Sequence, residues 1–411
     1  MIKILHTADV HLDSPLRSLA LRDTALHETV AAASRSAFVG LVDLAIAEQV
    51  AALLIAGDLF DGKERSARTG AFLMAELHRL GAAGIRVFYI KGNHDAENPI
   101  TGTLDLPSNV HVFDARGGRA QLTDDIWIHG VSFADRHAPD SLLPRFKAPV
   151  AGAVNIAMLH SSLGGAAGHD VYAPCSVAEL TGMGFDYWAL GHIHKRQVHS
   201  ERPWVVMPGI PQGRDIGEAG PKSATLLTIA DGQVAVTEIA TSVVEFLHAD
   251  LDVTEARSDE ALREMLKRRL TALRGQIAAP VGVIRLTLTG RPARHWQFLR
   301  DRDVWVEQAH ELAGAVGDLR IDKLLFDLLP PETGAEASGA ADELAAIMAT
   351  IRAEPGFSTQ ALEEVETVLQ DLPAALRARL IADEAARDAM VARLTRAGAD
   401  LVLAQMKGAD S

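Results

Sequence analysis

Residues 2–11 read I-K-I-L-H-T-A-D-V-H, an apolar run that ends in an Asp and a His two residues apart. The same grammar returns four times. Residues 51–58 read A-A-L-L-I-A-G-D, 87–95 V-F-Y-I-K-G-N-H-D, 155–160 N-I-A-M-L-H and 186–194 D-Y-W-A-L-G-H-I-H. Short continuous apolar runs of this kind are the pattern of buried strands. Each delivers Asp, Asn or His at its carboxyl end, the end at which open α/β sheets bind their ligands. The reading is therefore of five strand ends that converge on one site, with the rest of the chain serving it.

Working outward, residues 24–48 place Leu26, Val30, Ala37, Leu41 and Leu44 roughly on one helical face. Residues 65–81 form a second helical pattern that Gly81 or Gly84 ends, and residues 86–90 a third strand. Strand–helix–strand–helix–strand implies right-handed crossovers and a largely parallel start to the sheet. Shorter strands are expected over 110–113, 119–122 and 126–130. Buried strands follow over 155–160 and 187–190, and closing antiparallel strands over 204–207, 225–229 and 234–239. Asp231-Gly232 turns between the last two.

The first domain thus spans residues 1–241: α/β, two sheets packed together with helices outside. A strand (243–252), a helix (258–274, capped by Ser258 or Asp259), a strand (281–289), a helix (294–315) and a strand (319–328) make a small α+β domain over 242–329. Residues 330–341, P-P-E-T-G-A-E-A-S-G-A-A, are linker chemistry. Residues 342–411 are rich in Ala, Leu, Glu and Arg and read as a helical C-terminal region, with Pro373 in the first turn of its last helix.

A chain of 411 residues with 48% hydrophobic and 23% charged residues has ample material for two or three domains. It has no uninterrupted apolar run of about 18 residues, so no membrane span is expected. Residues 1–9 lack a basic leader pattern and read as a strand, so no secretory signal is expected. Cys175 is the one cysteine, which excludes an internal disulfide framework and fits a reducing, cytoplasmic compartment. The net charge of −14 argues against tight, salt-driven wrapping of a polyanion by this chain alone. Bound cations or a basic partner would reverse the local field.

Two divalent cations about 3.5–4 Å apart need a shared ligand and further ligands on each side. Asp9, His11, Asp58, Asn93, His160, His192 and His194 supply such a set. Their mixture of His, Asp and Asn suits Mn²⁺, Fe²⁺ or Zn²⁺ better than Mg²⁺ alone. Gly57, Gly92 and Gly191 let the backbone turn close to the cations.

In this order, the D-x-H, G-D, G-N-H-D, H and G-H-x-H blocks resemble the calcineurin-like metallophosphoesterase superfamily. D-V-H-L-D-S-P (9–15), G-D-L-F-D (57–61), A-L-G-H-I-H (189–194) and P-G-I-P-Q-G-R-D-I-G-E-A-G-P-K (208–222) narrow the resemblance to SbcD-like DNA repair exonucleases of the YhaO type. The resemblance covers residues 1 to about 240 strongly and the next domain, which it makes a cap, more loosely.

It implies a two-sheet metallophosphoesterase sandwich with one cation on Asp9, His11 and His194, another on Asn93, His160 and His192, and Asp58 between them. It implies that His94 sits over the scissile phosphate while a hydroxide between the cations attacks phosphorus in line. Two Mn²⁺ ions, DNA as substrate at 3′ ends and in single strands, an SbcC-like SMC-family ATPase partner and a dimer through residues 24–48 and 65–81 are implied in the same way. Relatives from eukaryotes and archaea usually carry a His three residues after the shared Asp, where this chain has Asp61. Asp61 is expected to hydrogen-bond His94 and hold it cationic.

Weaker signals stay open. His169 and Asp170, in a Gly-rich loop, are candidates for substrate contact. G-P-K-S at 220–223 lacks phosphate-loop spacing, but Arg214 and Lys222 are candidates for a nucleic acid backbone. Arg291, Arg294, His295, Trp296 and Arg300 either contact DNA or pack the cap against the first domain. The alternatives to a DNA phosphodiesterase are an enzyme for a small phosphoester and a catalytically weak assembly protein.

Overall fold

In the computed structural model, which describes the chain outside residues 15–23, 62–65, 99–104, 165–171, 332–339, 373–376, 378–379, 382 and 408–411, the first apolar run forms strand β1 (Ile2–Thr7). It lies parallel to β2 (Ala52–Ala56), which leads in turn to β3 (Arg86–Ile90) and β4 (Val110–Val112). The second sheet holds β5 (Gly118–Thr123), β6 (Ile126–Gly130), β7 (Val154–His160), β8 (Tyr187–Gly191), β9 (Gln197–Glu201) and β10 (Trp204–Met207) in the order β5-β6-β7-β8-β10-β9. Strands β11 (Ser223–Ala230) and β12 (Gln233–Ala240) return antiparallel to complete the first sheet as β12-β11-β1-β2-β3-β4.

The apolar runs are continuous because both faces of each central strand are covered. Ile4, Leu54 and Phe88 point between the sheets to meet Ile128, Ile156 and Met158. Their neighbours Leu5, Leu53 and Val87 point outward, onto Phe38 and Leu41 of α1 (Thr24–Ala47) and Leu73 and Leu77 of α2 (Ala67–Ala82). Ala157, Leu159 and Trp188 cover the other outer face with Leu180 of α4 (Val177–Gly182), which follows the one-turn helix α3 (Asn93–Glu97). The result is an α/β fold of two mixed sheets face to face, flanked by helices.

Residues Glu28–Ala47 of α1 are long and apolar enough to cross a membrane by length and composition. Val30, Ala33, Phe38, Leu41, Val42 and Ala45 are buried in this fold, however, which makes α1 a core helix.

The chain divides into two units, one of Met1–His248, Gly275–Ile284 and Asp318–Arg320, the other of Ala249–Arg274, Arg285–Gly317 and Ile321–Ser411. Beyond β12, β13 (Val244–Asp252), β14 (Val281–Gly290) and β15 (Leu319–Leu328) form a three-stranded sheet in that order. Helix α5 (Asp259–Arg274) buries Leu262, Leu266, Leu270 and Leu273 along one face, and Ser258 Oγ accepts from the Ala261 amide at its start.

Two expectations need correction, and a third reading, left open, gains detail. The stretch 294–315 is two helices, α6 (His295–Arg300) and α7 (Arg302–Val316), broken at Asp301, which Arg300 grips through its side chain. After α8 (Ala340–Ala353) and α9 (Pro355–Gln370), the last helix α10 begins at Glu384 and runs to Lys407, while Pro373 lies outside the described residues. The basic cluster of α6 is engaged within the second unit. Arg294 donates to Asp259 at 2.6 Å, and the Trp296 ring packs under Lys407 Nζ of α10 at 5.2 Å. Strand β9 was not anticipated, since its side chains are half-buried or exposed and make no apolar run.

His6, on the face of β1 between the sheets, ties them together. Its Nε2 donates to the Leu190 carbonyl at 3.0 Å, and its Nδ1 accepts from the Tyr187 hydroxyl at 2.9 Å. Burial pushes its pKa from 6.5 down to about 3. The unfolded chain therefore takes up this proton first, and the stability from neutral His6 is complete above pH 6.5 and is lost as pH falls from there toward about 3. On this basis His6 alone removes about 2 kcal/mol of unfolding free energy between about pH 7.5 and about pH 5. Urea titrations of wild type and His6→Gln at the two pH values check this: the variant is less stable at the higher pH and loses correspondingly less on acidification.

Candidate metal centre

At the carboxyl ends of β1 and β2 the two following loops run side by side. The Asp9 amide donates to the Gly57 carbonyl at 2.9 Å and the His11 amide to the Asp58 carbonyl at 3.1 Å. Both loops take an uncommon backbone to do so. Asp9, His11 and Asp58 have φ of 53°, 44° and 51°, and His192, after β8, has φ of 104°. Side chains other than glycine rarely adopt this left-handed region, and it clusters at functional sites, where the surrounding structure holds it in place.

All seven residues expected as ligands come together here. Donor atoms of Asp9, His11 and His194 lie within 4.8 Å of one another, as do those of Asp58, His160 and His192. Asn93 Oδ1 stands 3.1 Å from His160 Nε2. Asp58 Oδ2 lies between the two groups, 3.4 Å from His160 Nε2 and 3.9 Å from His11 Nε2. All but the two histidines of the G-H-x-H block are buried. Asp9 also accepts from the His192 amide through both oxygens, at 2.9 and 3.1 Å, which joins the loop after β1 to the loop after β8.

These residues fit a divalent cation. His160 Nδ1 lies 2.9 Å from the Ala56 carbonyl, which can only accept, so in the neutral ring, the form that binds a cation, Nε2 carries the lone pair and faces the Asn93 and Asp58 oxygens; in the protonated ring Nε2 donates to them instead. Lone pairs facing lone pairs repel unless a cation lies between them. Donors each about 2.1 Å from one cation stand about 3.0–3.4 Å apart at octahedral or tetrahedral angles. The His160–Asn93 separation and the 3.1 Å between His11 Nε2 and His194 Nε2 fall in that range.

Three glycines make the space. A Cβ on Gly57 would run into the His160 ring, one on Gly191 into the Ala56 carbonyl, and one on Gly92 into Asp58 Oδ1 and to 2.8 Å from His160 Nε2.

The electrostatics of the protein groups follow from burial and pairing. Burial lifts the Asp9 pKa to about 6. Asp58 moves the other way: burial opposes its charge, but His160 alongside overrides this, and His160 is itself pushed up to about 9 against its own burial. Burial holds His11 down at about 4.

His94 stands apart from the seven. Its ring lies against His11 at 4.9 Å between centroids, its amide donates to Asp58 Oδ1 at 2.9 Å, and its side chain is 34% exposed. Nδ1 is 3.2 Å from Asp61 Oδ1, and Ser14 Oγ donates to the other Asp61 oxygen at 2.6 Å. Burial lowers the His94 pKa, but Asp61, together with Asp58 and Asp95, more than compensates and raises it overall. His94 also falls within 4.8 Å of His11 and Asp58 donors, a grouping with ligand geometry of its own.

Motif reading missed Tyr172, whose ring meets His192 at 5.2 Å and stacks on His137 at 6.2 Å, and Glu218, 2.6 Å from His194 Nδ1. Tyr172 sits in no recognisable block, whereas Glu218 lies within the 208–222 motif. Arg214 faces Glu218 at 2.8 Å and Lys222 Nζ donates to the Ala219 carbonyl, so both are held by the protein itself. His169 and Asp170 lie outside the described residues.

The fold and this centre define a class, the calcineurin-like metallophosphoesterases, and the chain belongs to it, in the SbcD/YhaO-like family. The calcineurin-like phosphoesterase model matches residues 2–196, and that of the middle domain of metallophosphoesterase YhaO matches residues 246–328. Metallophosphoesterase YhaO of Bacillus subtilis (strain 168) is 34% identical over 299 residues, 70% of this chain and 72% of that protein. The DNA double-strand break repair protein Mre11 of Sulfurisphaera tokodaii is 29% identical over 205 residues, 48% of this chain and 50% of that protein. The SbcD component of the nuclease SbcCD of Rhodobacter capsulatus is 34% identical over 96 residues, 23% of this chain and 22% of that protein. The protein is thus a hydrolase of a superfamily that binds divalent metals.

The glycine cradle sets a test. Gly92→Ala lowers bound divalent metal, measured by elemental analysis after dialysis against a limiting concentration, and lowers the melting temperature of the metal-loaded protein. Gly40→Ala, on α1 with open space around its Cβ, leaves metal content unchanged and raises stability by about 0.5–1 kcal/mol.

Proposed function

We propose that this protein is a two-metal-dependent DNA phosphodiesterase of repair, working with Mn²⁺ on single strands and 3′ ends. The observation that carries the reading is the position of His94. Its partly buried ring lies beside the donor cluster and opens with Asp58, Asn93, His192 and His194 onto a cavity of about 1040 Å³. Small-molecule pockets span about 300–1,000 Å³, so this one has room for more than a lone phosphoester. Arg136, Lys195, Lys222 and His248 add basic groups to its wall.

One cation would be held by Asp9, His11 and His194 and the other by Asn93, His160 and His192, with Asp58 available to both. When bound, the two cations supply Lewis acidity and a nucleophile at neutral pH. The chain's own residues do the rest. Asp58 fixes the His94 backbone through the 2.9 Å bond. Asp61, steadied by Ser14, orients the imidazole and favours its cationic form. His94 then stabilises charge on the phosphate and gives a proton to the leaving oxygen.

The domain division belongs to the same proposal: a nuclease domain over 1–241, a cap over 242–329, a linker over 330–341 and a partner-binding helical region over 342–411. The names of the SbcCD and Mre11 relatives support DNA as substrate. We add an SMC-like ATPase as partner, a cytoplasmic setting and a homodimer through α1 and α2.

Hydrolysis with Mn²⁺ tests the reading, with end-labelled single- and double-stranded DNA beside a small aryl phosphodiester. Wild type shortens DNA, and His94→Ala loses at least about 10²-fold in rate while keeping both cations. Turnover of the aryl diester alone assigns the centre to a small substrate instead. Two bound cations with no turnover of either substrate would leave an assembly protein. In a separate assay at saturating Mn²⁺, since Asp61 also faces His11 at 3.6 Å, Asp61→Asn lowers kcat. It also moves the alkaline limb of the pH–rate profile to lower pH, because His94 loses the group that raises its pKa.

A further inference from the structure

His194 has two neighbours on its Nδ1 side that make opposite demands. Glu218 Oε1 is 2.6 Å away and Arg214 Nη2 is 3.2 Å away. A carboxylate only accepts and a guanidinium only donates. A hydrogen on Nδ1 satisfies Glu218 and leaves the Nε2 lone pair facing His11 Nε2 at 3.1 Å. Without that hydrogen Nδ1 accepts from Arg214, Nε2 becomes an N–H, and the ring is no longer a metal ligand.

The shorter contact and the surrounding bonds favour the first arrangement. Glu218 closes the short helical turn Ile216–Glu218 that follows Asp215. Its Oε2 takes the Arg214 backbone amide at 2.8 Å, and its Oε1 takes Arg214 Nη2 at 2.8 Å. The carboxylate is therefore clamped by the arginine it keeps from the histidine. Both residues come from the loop between β10 and β11, not from any strand end that supplies ligands.

We propose that Glu218 is a positioning residue that sets the tautomer of His194 and so determines whether the Asp9–His11–His194 half of the centre binds a cation, with Arg214 as the built-in competitor. This rests on the ligand set given under the proposed function. Metal-ligating histidines commonly donate their other N–H to a carboxylate, and loss of that partner typically costs 10–100-fold in metal affinity. Here the cost has a second source, because removing Glu218 also frees Arg214 to impose the wrong tautomer.

Calorimetric Mn²⁺ titration of the full chain separates these effects without an activity assay. In wild type two cations bind. In Glu218→Leu one site is retained and the other weakens roughly 10–100-fold. Glu218→Gln, whose amide oxygen still accepts from Nδ1, stays within a few-fold of wild type. The double variant Glu218→Leu with Arg214→Leu binds the second cation more tightly than Glu218→Leu alone, because the competing donor is gone. Mere loss of packing would not produce that recovery.

Two weakly altered sites in Glu218→Leu overturn the proposal, as does a double variant no better than the single. His194→Ala is the control for the ligand set. If it too binds two cations as wild type does, the metal-centre reading has failed. If it loses one while Glu218→Leu keeps both, only the tautomer proposal has failed.

Discussion

The bond on which the centre depends is the one between the Asp9 carboxylate and the His192 amide. A two-cation site needs ligands from more loops than one sheet end offers, so two sheets must present their carboxyl ends at the same place. Apolar contact between the sheets brings them together but has little directional content. Register comes from a few polar links: Asp9 to His192 at the rim, and His6 to Tyr187 and Leu190 in the layer between. A residue proposed to hold a cation thus also fixes the geometry of its fellow ligands.

That economy has an electrostatic side. Two buried carboxylates and the buried imidazoles beside them share a small volume, and unpaired buried charge is expensive. The protein groups respond by moving apart in proton affinity, Asp9 up and Asp58 down, with His160 raised beside Asp58. Perturbed proton affinities of this kind cluster at functional sites. The acidic balance of the whole chain suits the binding of cations at its centre better than unaided hold on a polyanion.

The sandwich and its strand ends were legible because the signal is local. A doubly covered strand must be apolar throughout, and each such run ended in a polar side chain that could be named in advance. What escaped was set by tertiary contact. Strand β9 pairs at a sheet edge with little apolar content, and the break at Asp301 is a local departure of the backbone from helical values that periodicity does not register. Trp296 found its partner in a helix more than a hundred residues later, so neither reading of the basic cluster anticipated Lys407. Glu218 and Tyr172 reach the centre from loops with no strand-end grammar of their own.

The left-handed loops and the Asp9–His192 link also bear on how the protein is made. These partners stand 183 residues apart in the chain. At about 5–20 residues per second, roughly 10–40 s of translation separates the first from the last. Until then the two early loops have each other, through the Asp9–Gly57 and His11–Asp58 backbone bonds, but not the link to the second sheet. The second sheet's share of the proposed ligand set, His160, His192 and His194, is therefore in place only late in synthesis.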